Sequence, residues 1–194
     1  MARPRSDAPK AADRILAVAN ARFGAEGSRA IGVDEIVERA GTTKPTLYRG
    51  FGSKDGLIAA WMTSRAQGVL AALEAGVGAH PDDAKAQLLA AFEALNQGGE
   101  RGCALSNTVV EYAERKTPGR KVAVAHKAEV RERLRDLTRA MNARKPKKLA
   151  DSLLLLLEGA AMARQIYGPD GPSDAARGAA ELLIEAHSRG LGHG

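Results

Sequence analysis

The chain has 194 residues, of which 44% are hydrophobic, 27% are charged and 4% are aromatic. This composition predicts a globular protein of one or two domains and excludes a disordered tail. The single cysteine, Cys103, excludes an internal disulfide and a cysteine-based zinc site. The net charge of +6 favours contact with a polyanion.

The sequence also predicts a location inside the cell. The first residues are basic but lack the apolar segment of a signal peptide. The most apolar run, residues 153–163, contains Glu158 and is shorter than the roughly 20 residues that a bilayer requires. We therefore expect a cytoplasmic protein that does not contact membranes.

Helical spacing of apolar residues predicts an all-α protein of about nine helices. The first three cover about residues 9–25, 33–40 and 44–49, and the fourth follows an N-cap at Ser53 and continues to about residue 77. Further helices are predicted near residues 81–97, 103–116, 119–143, 147–167 and 173–189, separated by glycine and proline. We expect a boundary near residue 54, between a small basic head, residues 1–54, and a larger helical body, residues 55–194.

Two regions are basic. Residues 1–54 contain ten basic and six acidic side chains, and residues 113–148 contain thirteen basic and four acidic ones. In the second region, Val130, Leu134 and Leu137 form an apolar stripe at helical spacing and leave the basic side chains on the other face. This pattern favours a solvated helix face over a DNA-binding one.

Residues 33–54, VDEIVERAGTTKPTLYRGFGSK, have the form of a helix-turn-helix. Two short helices are joined through Gly41, and the second is too short to be stable alone. It is rich in hydroxyl and basic side chains, which suit phosphates and base edges in a major groove.

Within this segment the sequence resembles the TetR family of bacterial one-component transcriptional repressors. The resemblance covers about the first 60 residues and rests on fixed spacing of Ile36, Ala40, Gly41, Lys44, Thr46, Leu47, Tyr48, Phe51, Ser53, Lys54 and Leu57, preceded by Phe23 and Gly27.

The resemblance implies which residues contact a palindromic operator in double-stranded DNA. Those on or beside the recognition helix are Thr43, Lys44, Thr46, Tyr48 and Arg49, and Lys54 is the phosphate contact. Leu47 and Phe51 are instead expected to pack that helix onto the first one. Arg3 and Arg5 form either an arm in the minor groove or an unstructured tail.

In the family, the body binds a small molecule and forms a homodimer, commonly through the last two helices. Here these are about residues 147–167 and 173–189. Leu153 to Leu157 is a run of five leucines, which places apolar side chains on every side of one helix. The alternative is a central core helix of a monomer.

A looser resemblance to one subgroup of the family involves Cys103, Asn107 and His126. One interpretation places these three in an apolar inducer pocket, together with Trp61, Met62, Phe92 and Gln165. The other makes Cys103 a small buried hydrophobe, Asn107 a hydrogen bonder at a helix end and His126 a histidine with satisfied hydrogen bonds.

The leading hypothesis is therefore a ligand-responsive DNA-binding repressor that acts as a homodimer and responds to a small apolar inducer. A nonspecific architectural nucleic-acid-binding protein and a redox-sensing regulator acting through Cys103 are the alternatives. The sequence contains no GxSxG, HExxH, P-loop or Rossmann pattern, so we expect no catalytic residues, no cofactor and no metal.

Overall fold

The computed structural model describes residues 10–97, 102–112 and 116–188. Within these ranges the regular elements are α1 (Ala11–Glu26), α2 (Val33–Arg39), α3 (Lys44–Phe51), α4 (Lys54–Gly78), α5 (Ala84–Asn96), α6 (Ala104–Glu111), α7 (Pro118–Ala140), α8 (Pro146–Tyr167) and α9 (Ala175–His187), with a 3₁₀ turn at Pro172–Asp174. The predicted all-α fold is confirmed for the described residues. The candidate arm residues Arg3 and Arg5 lie outside them.

Several helix ends differ from the predicted ones for local reasons. α5 begins at Ala84, three residues later than predicted, because Asp83 Oδ1 caps it by accepting hydrogen bonds from the backbone N–H groups of Lys85 and Ala86. α6 ends at Glu111 rather than near residue 116. The last predicted helix is divided into the 3₁₀ turn and α9.

The head contains α1, α2 and α3 around a small core. Leu47 on α3 is fully buried in one cluster with Ile15 and Ala19 on α1, as predicted. Two polar contacts fasten α1 to α2: Arg22 pairs with Glu35 at 2.8 Å, and Arg14 Nε donates to the Ala40 carbonyl at 3.0 Å.

α4 belongs to two cores at once. In its first half, Leu57, Ile58 and Trp61 are buried in the cluster that also holds the head. In its second half, Leu73 and Val77 belong to the body cluster, which α5, α7, α8 and α9 complete. The head is therefore attached to the body by a continuous helix with buried side chains at both ends.

The junction of α3 and α4 requires glycine at position 56. Ser53 Oγ accepts a hydrogen bond from the Gly56 backbone N–H at 3.0 Å, which closes the first turn of α4. A Cβ at this position would lie 1.9 Å from the Phe51 carbonyl oxygen. The close approach fixes the angle at which α3 meets α4.

We expect Gly56→Ala to lower the free energy of unfolding by about 1–3 kcal/mol, because the added methyl group must push the α3 terminus away. Gly50→Ala is the matched control, since a Cβ at position 50 meets no atom within 4 Å. In the control, the better helix propensity of alanine is worth up to about 1 kcal/mol of added stability. Urea denaturation followed by circular dichroism measures both, and equal stability of the two variants would contradict the account.

Candidate functional site

The outward face of α3 carries the predicted recognition residues. Leu47 anchors the helix, while Thr43, Lys44, Tyr48 and Arg49 are exposed and Thr46 is half-buried. Pro45 lies in the first turn, where its missing N–H removes no helical hydrogen bond. The structure thus places all five residues, Thr43, Lys44, Thr46, Tyr48 and Arg49, on or directly before one short helix; we call them the recognition surface.

Within the recognition surface, Lys44 already has a partner. Its ammonium group lies 2.6 Å from Asp34 Oδ1, and this hydrogen bond raises the pKa of Lys44. Both side chains are at least half exposed, so the pair contributes little to stability and a phosphate can compete with Asp34 for the lysine.

The hydroxyl groups of Thr43 and Thr46 lie 3.1 Å apart. Thr43 is the N-cap residue of α3 but makes no side-chain capping hydrogen bond. Its hydroxyl is therefore not committed to the helix end.

Lys54 begins α4, behind the recognition helix. Its ammonium group lies 3.5 Å from the Arg29 carbonyl oxygen, and burial lowers its pKa. It therefore joins the start of α4 to the turn that follows α1. Contact with a phosphate at this helix start would have the added support of the helix dipole.

A second feature, which we call the body cavity, lies among α4, α5, α6, α7 and α8 and has a volume of about 70 Å³. Its wall is mostly apolar, with Leu105, Val130 and Leu157 among the buried contributors. Of the predicted ligand residues, it brings together Cys103 and His126. It also contains Lys127 and Glu158, which the sequence analysis did not select.

A chain of polar contacts crosses one wall of the body cavity. The Lys127 ammonium donates to Cys103 Sγ at 3.4 Å and to Glu158 Oε1 at 2.6 Å, and Ser106 Oγ donates to Glu158 Oε2 at 2.8 Å. The one available signal in the sequence was Glu158, a carboxylate inside an otherwise apolar run.

The same contacts set the ionisation of the thiol. Burial raises the pKa of Cys103, but the charge of Lys127 and hydrogen bonds involving Ser106 and Leu105 outweigh it, so that the net pKa lies below the ordinary value. Burial lowers the pKa of Lys127, while Cys103 and Glu158 raise it more, giving a net increase. Both shifts favour a thiolate paired with an ammonium ion.

His126 is only 5% exposed, and its Nδ1 has no hydrogen-bond partner among the described residues. Burial lowers its pKa, and the charge of Lys127 adds to this effect. The ring is therefore neutral at pH 7. Which of the two interpretations of His126 applies therefore stays a prediction.

A second cavity, which we call the junction cavity, lies between α1 of the head and α4 and α6, and has a volume of about 240 Å³. Trp61 and Asn107 line it, so the structure divides the predicted ligand residues between two cavities. Arg65 lies between the cavities and lines both.

The three other predicted ligand residues line neither of these cavities. Met62 is buried, and its sulfur accepts a hydrogen bond from Thr108 Oγ1 at 3.3 Å. Phe92 belongs to the body core and reaches only a shallow surface depression beside Glu93. Gln165 is exposed on α8.

The last helices present a third feature, an apolar stripe on the molecular surface. On α8, Leu155, Met162 and Ile166 are exposed at helical spacing, with Gly159 between them. On α9, Leu182 is 74% exposed. The opposite face of α8, with Leu153 and Leu157, is buried in the body core, so a single chain covers only one side of the leucine run.

The basic side chains of α7 are engaged with neighbouring carboxylates. Arg131 and Arg135 contact Asp151 on α8, and the hydrogen bond from Arg131 is the main cause of an Asp151 pKa of about 2. Arg133 pairs with Glu74 on α4 at 2.6 Å. These ion pairs support the prediction of a solvated structural face on α7.

Among residues 10–97, 102–112 and 116–188, no three histidine, cysteine, aspartate or glutamate side chains are arranged to hold a metal ion. None of the described helices has the length and apolar character needed to span a bilayer.

Comparison with known proteins identifies relatives of the head and of the whole fold. Residues 15–61 match the sequence profile of the bacterial regulatory proteins of the tetR family. A TetR-family transcriptional regulator from Streptomyces coelicolor is similar over 92% of this chain and 96% of that one, with 29% identity and a TM-score of 0.84.

Two other solved structures share the fold. A TetR transcriptional regulator from Chloroflexus aurantiacus has 24% identity and a TM-score of 0.80, covering 92% of this chain and 96% of that one. A TetR-family regulator from Cytophaga hutchinsonii has 22% identity and a TM-score of 0.79, covering 94% and 98%. No curated protein matches the sequence.

Proposed function

The chain belongs to the TetR family of bacterial DNA-binding transcriptional regulators, and we propose that it is a repressor that a small-molecule inducer releases from a palindromic operator. The observation that carries this proposal is the recognition surface, a row of hydroxyl and basic groups on a helix fixed from behind by Leu47. Regulators of this family are generally not enzymes, and we assign the chain no catalytic role. Its site of action would be the cytoplasm, where the operator lies.

In this proposal residues 1–54 bind DNA. Thr43, Thr46 and Tyr48 contact base edges or nearby phosphates from the major groove, since hydroxyl groups can donate and accept there. Lys44 exchanges Asp34 for a phosphate, and Arg49 and Lys54 bind the backbone.

Residues 55–194 would bind the inducer and form the dimer. The body cavity has room for only a few heavy atoms, so a larger apolar inducer must displace its walls. Arg65 and Val69 of α4 are part of the cavity wall. One turn before Arg65, the Trp61 ring packs edge-to-face on Phe23 of the head, with 5.3 Å between the ring centroids. A shift of α4 on inducer binding would therefore move the head and alter the distance between two recognition helices.

A homodimer would form through α8 and α9. The exposed stripe of Leu155, Met162, Ile166 and Leu182 is the surface that supports this, because such an apolar row is costly to leave in water. A two-fold axis would give two identical heads and so a palindromic operator.

Selection of bound fragments from a random duplex pool gives the operator and tests sequence specificity. On that operator, Thr46→Ala should cost about 1–3 kcal/mol of binding free energy if its hydroxyl reads a base edge. Lys54→Ala should weaken binding to all duplexes alike and reduce the salt dependence, because it removes a phosphate contact. Electrophoretic mobility shifts at several salt concentrations measure both.

Lys121→Ala is the matched control, since Lys121 is an exposed lysine on α7, outside the head and outside the two proposed dimer helices. It should bind DNA as the parent does. A pool that yields no preferred sequence would support the architectural nucleic-acid binder instead. Parental affinity of both head variants would show that the head does not read DNA.

We expect Leu155→Glu to convert the dimer to a monomer at micromolar concentration, because two like charges would be buried at the symmetric interface. Val124→Glu, at an exposed apolar position on α7, should leave the dimer intact. Sedimentation equilibrium measures the outcome. A parent chain that is monomeric yet binds a palindrome tightly would contradict the dimer proposal.

Redox sensing through Cys103 is the second candidate function, and the contact between Lys127 and the sulfur is the observation that favours it. A thiolate attacks hydrogen peroxide, an S–O bond forms as the O–O bond breaks, and the products are a sulfenic acid and hydroxide. The added oxygen would have to fit inside the small body cavity and would disturb the contacts of Lys127.

Cys103→Ser separates the two mechanisms. If an apolar inducer is the signal, parent and variant should both stay bound to operator under peroxide, and both should be released by compounds found in a screen of small apolar molecules. If oxidation is the signal, peroxide should release the parent but not Cys103→Ser. Lys127→Met should then respond several-fold more slowly, because less thiolate is present. Fluorescence anisotropy of labelled operator records every case.

A further inference from the structure

The junction cavity adjoins the body cavity to which the proposed function assigns the inducer; the two share Arg65, Gly102 and Ala104, and their other lining residues differ. Phe23 and Ser28 come from the head, and Trp61, Asn107 and Glu111 come from α4 and α6 of the body. At about 240 Å³ it is the roomier of the two and has space for a ring-sized molecule. An occupant would touch head and body at the same time.

The apolar part of its wall suits a flat molecule. Phe23 and Trp61 meet edge-to-face, with ring planes at 71° to each other. Both are almost completely buried. Both residues line the cavity, and a planar aromatic group placed there can meet a ring by stacking or edge-to-face contact.

The polar part offers a donor and an acceptor. The indole N–H of Trp61 is buried and has no acceptor within the described structure. Glu111 receives a hydrogen bond from Ser28 Oγ at 3.1 Å through Oε2, and its carboxylate supplies further lone pairs. The Glu111 carboxylate can therefore accept a further hydrogen bond besides the one from Ser28.

The charges on the wall are balanced. Arg65 contributes one cation and Glu111 one anion, and the other lining residues are uncharged. A ligand anion would be attracted by Arg65 and repelled by Glu111, whereas a ligand cation would be attracted by Glu111 and repelled by Arg65. A neutral molecule meets neither repulsion.

We propose that the junction cavity is a second small-molecule site, which takes a small planar ligand of zero net charge that both accepts and donates hydrogen bonds. The aromatic ring lies against Phe23 and Trp61, an acceptor oxygen takes the Trp61 N–H, and an N–H of the ligand is donated to Glu111. An aromatic carboxamide has this combination of groups.

Trp61 is the only tryptophan in the chain, so its fluorescence reports this cavity without a label. The probes are benzamide, benzoate and benzamidine, which share a ring and differ in charge. Excitation at the red edge of tryptophan absorption avoids all three. We expect a saturable change in emission with benzamide, and at least about five-fold weaker binding of the two charged probes, the equivalent of one lost hydrogen bond.

Three variants locate the probe. Glu111→Gln removes the repulsion of benzoate, and its amide oxygen still accepts from Ser28, so benzoate should come within about two-fold of benzamide. Glu93→Gln makes the same change at a site outside the junction cavity, and it should leave the parent's preference for benzamide over benzoate unchanged. Leu154→Phe adds bulk to the wall of the body cavity at a residue that does not line the junction cavity, and it should not alter the benzamide titration.

The proposal is overturned if benzamide causes no saturable change in the parent, or if the three probes bind equally. It is also overturned if Leu154→Phe abolishes the benzamide response, since the probe then occupies the body cavity. None of these readouts involves DNA, so failure of the repressor proposal does not affect them. The parent titrations decide the case by themselves if Glu111→Gln does not fold.

Discussion

The packing of α4 into two cores is the constraint on which the rest of the molecule depends. Leu57 and Trp61 at one end are buried with the head, and Leu73 and Val77 at the other end with the body. Burial of each such side chain contributes about 1.5–3 kcal/mol of transfer free energy, so moving either end of α4 out of its cluster is energetically unfavourable. Displacement of the middle of α4 must therefore be accommodated by rigid movement of the head.

Polar contacts reinforce this coupling where the head meets α6. Ser28 is fully buried and lies 3.1 Å from both Glu111 Oε2 and the Tyr112 hydroxyl, while the Arg29 guanidinium lies over the Tyr112 ring. Hydrogen bonds of this kind are directional, so they fix the orientation of the head as well as its distance from the body. The junction cavity is enclosed by the same elements.

The polar residues of the body cavity have a different role from the apolar core around them. The side chains of Lys127 and Glu158 remain 29% and 36% exposed, and ion pairs that water still reaches contribute little to stability. Lys127 and Glu158 therefore have little value as a stability device. Lys127 instead lies against Cys103 and lowers the pKa of the thiol, and the pair gives the cavity a polar wall among leucines and valines.

The sequence by itself determined the helices and the recognition surface, because both depend on local spacing. Leu47 falls inward and Thr43, Lys44 and Tyr48 outward on a helix of 3.6 residues per turn whatever the body does. The prediction of ligand residues was more limited: Cys103 and His126 share one cavity, Trp61 and Asn107 line another, and Phe92 packs in the core. Only the tertiary structure brings Lys127 to Cys103 and Glu158, since the three lie on different segments and their approach is set by the crossing of α6, α7 and α8.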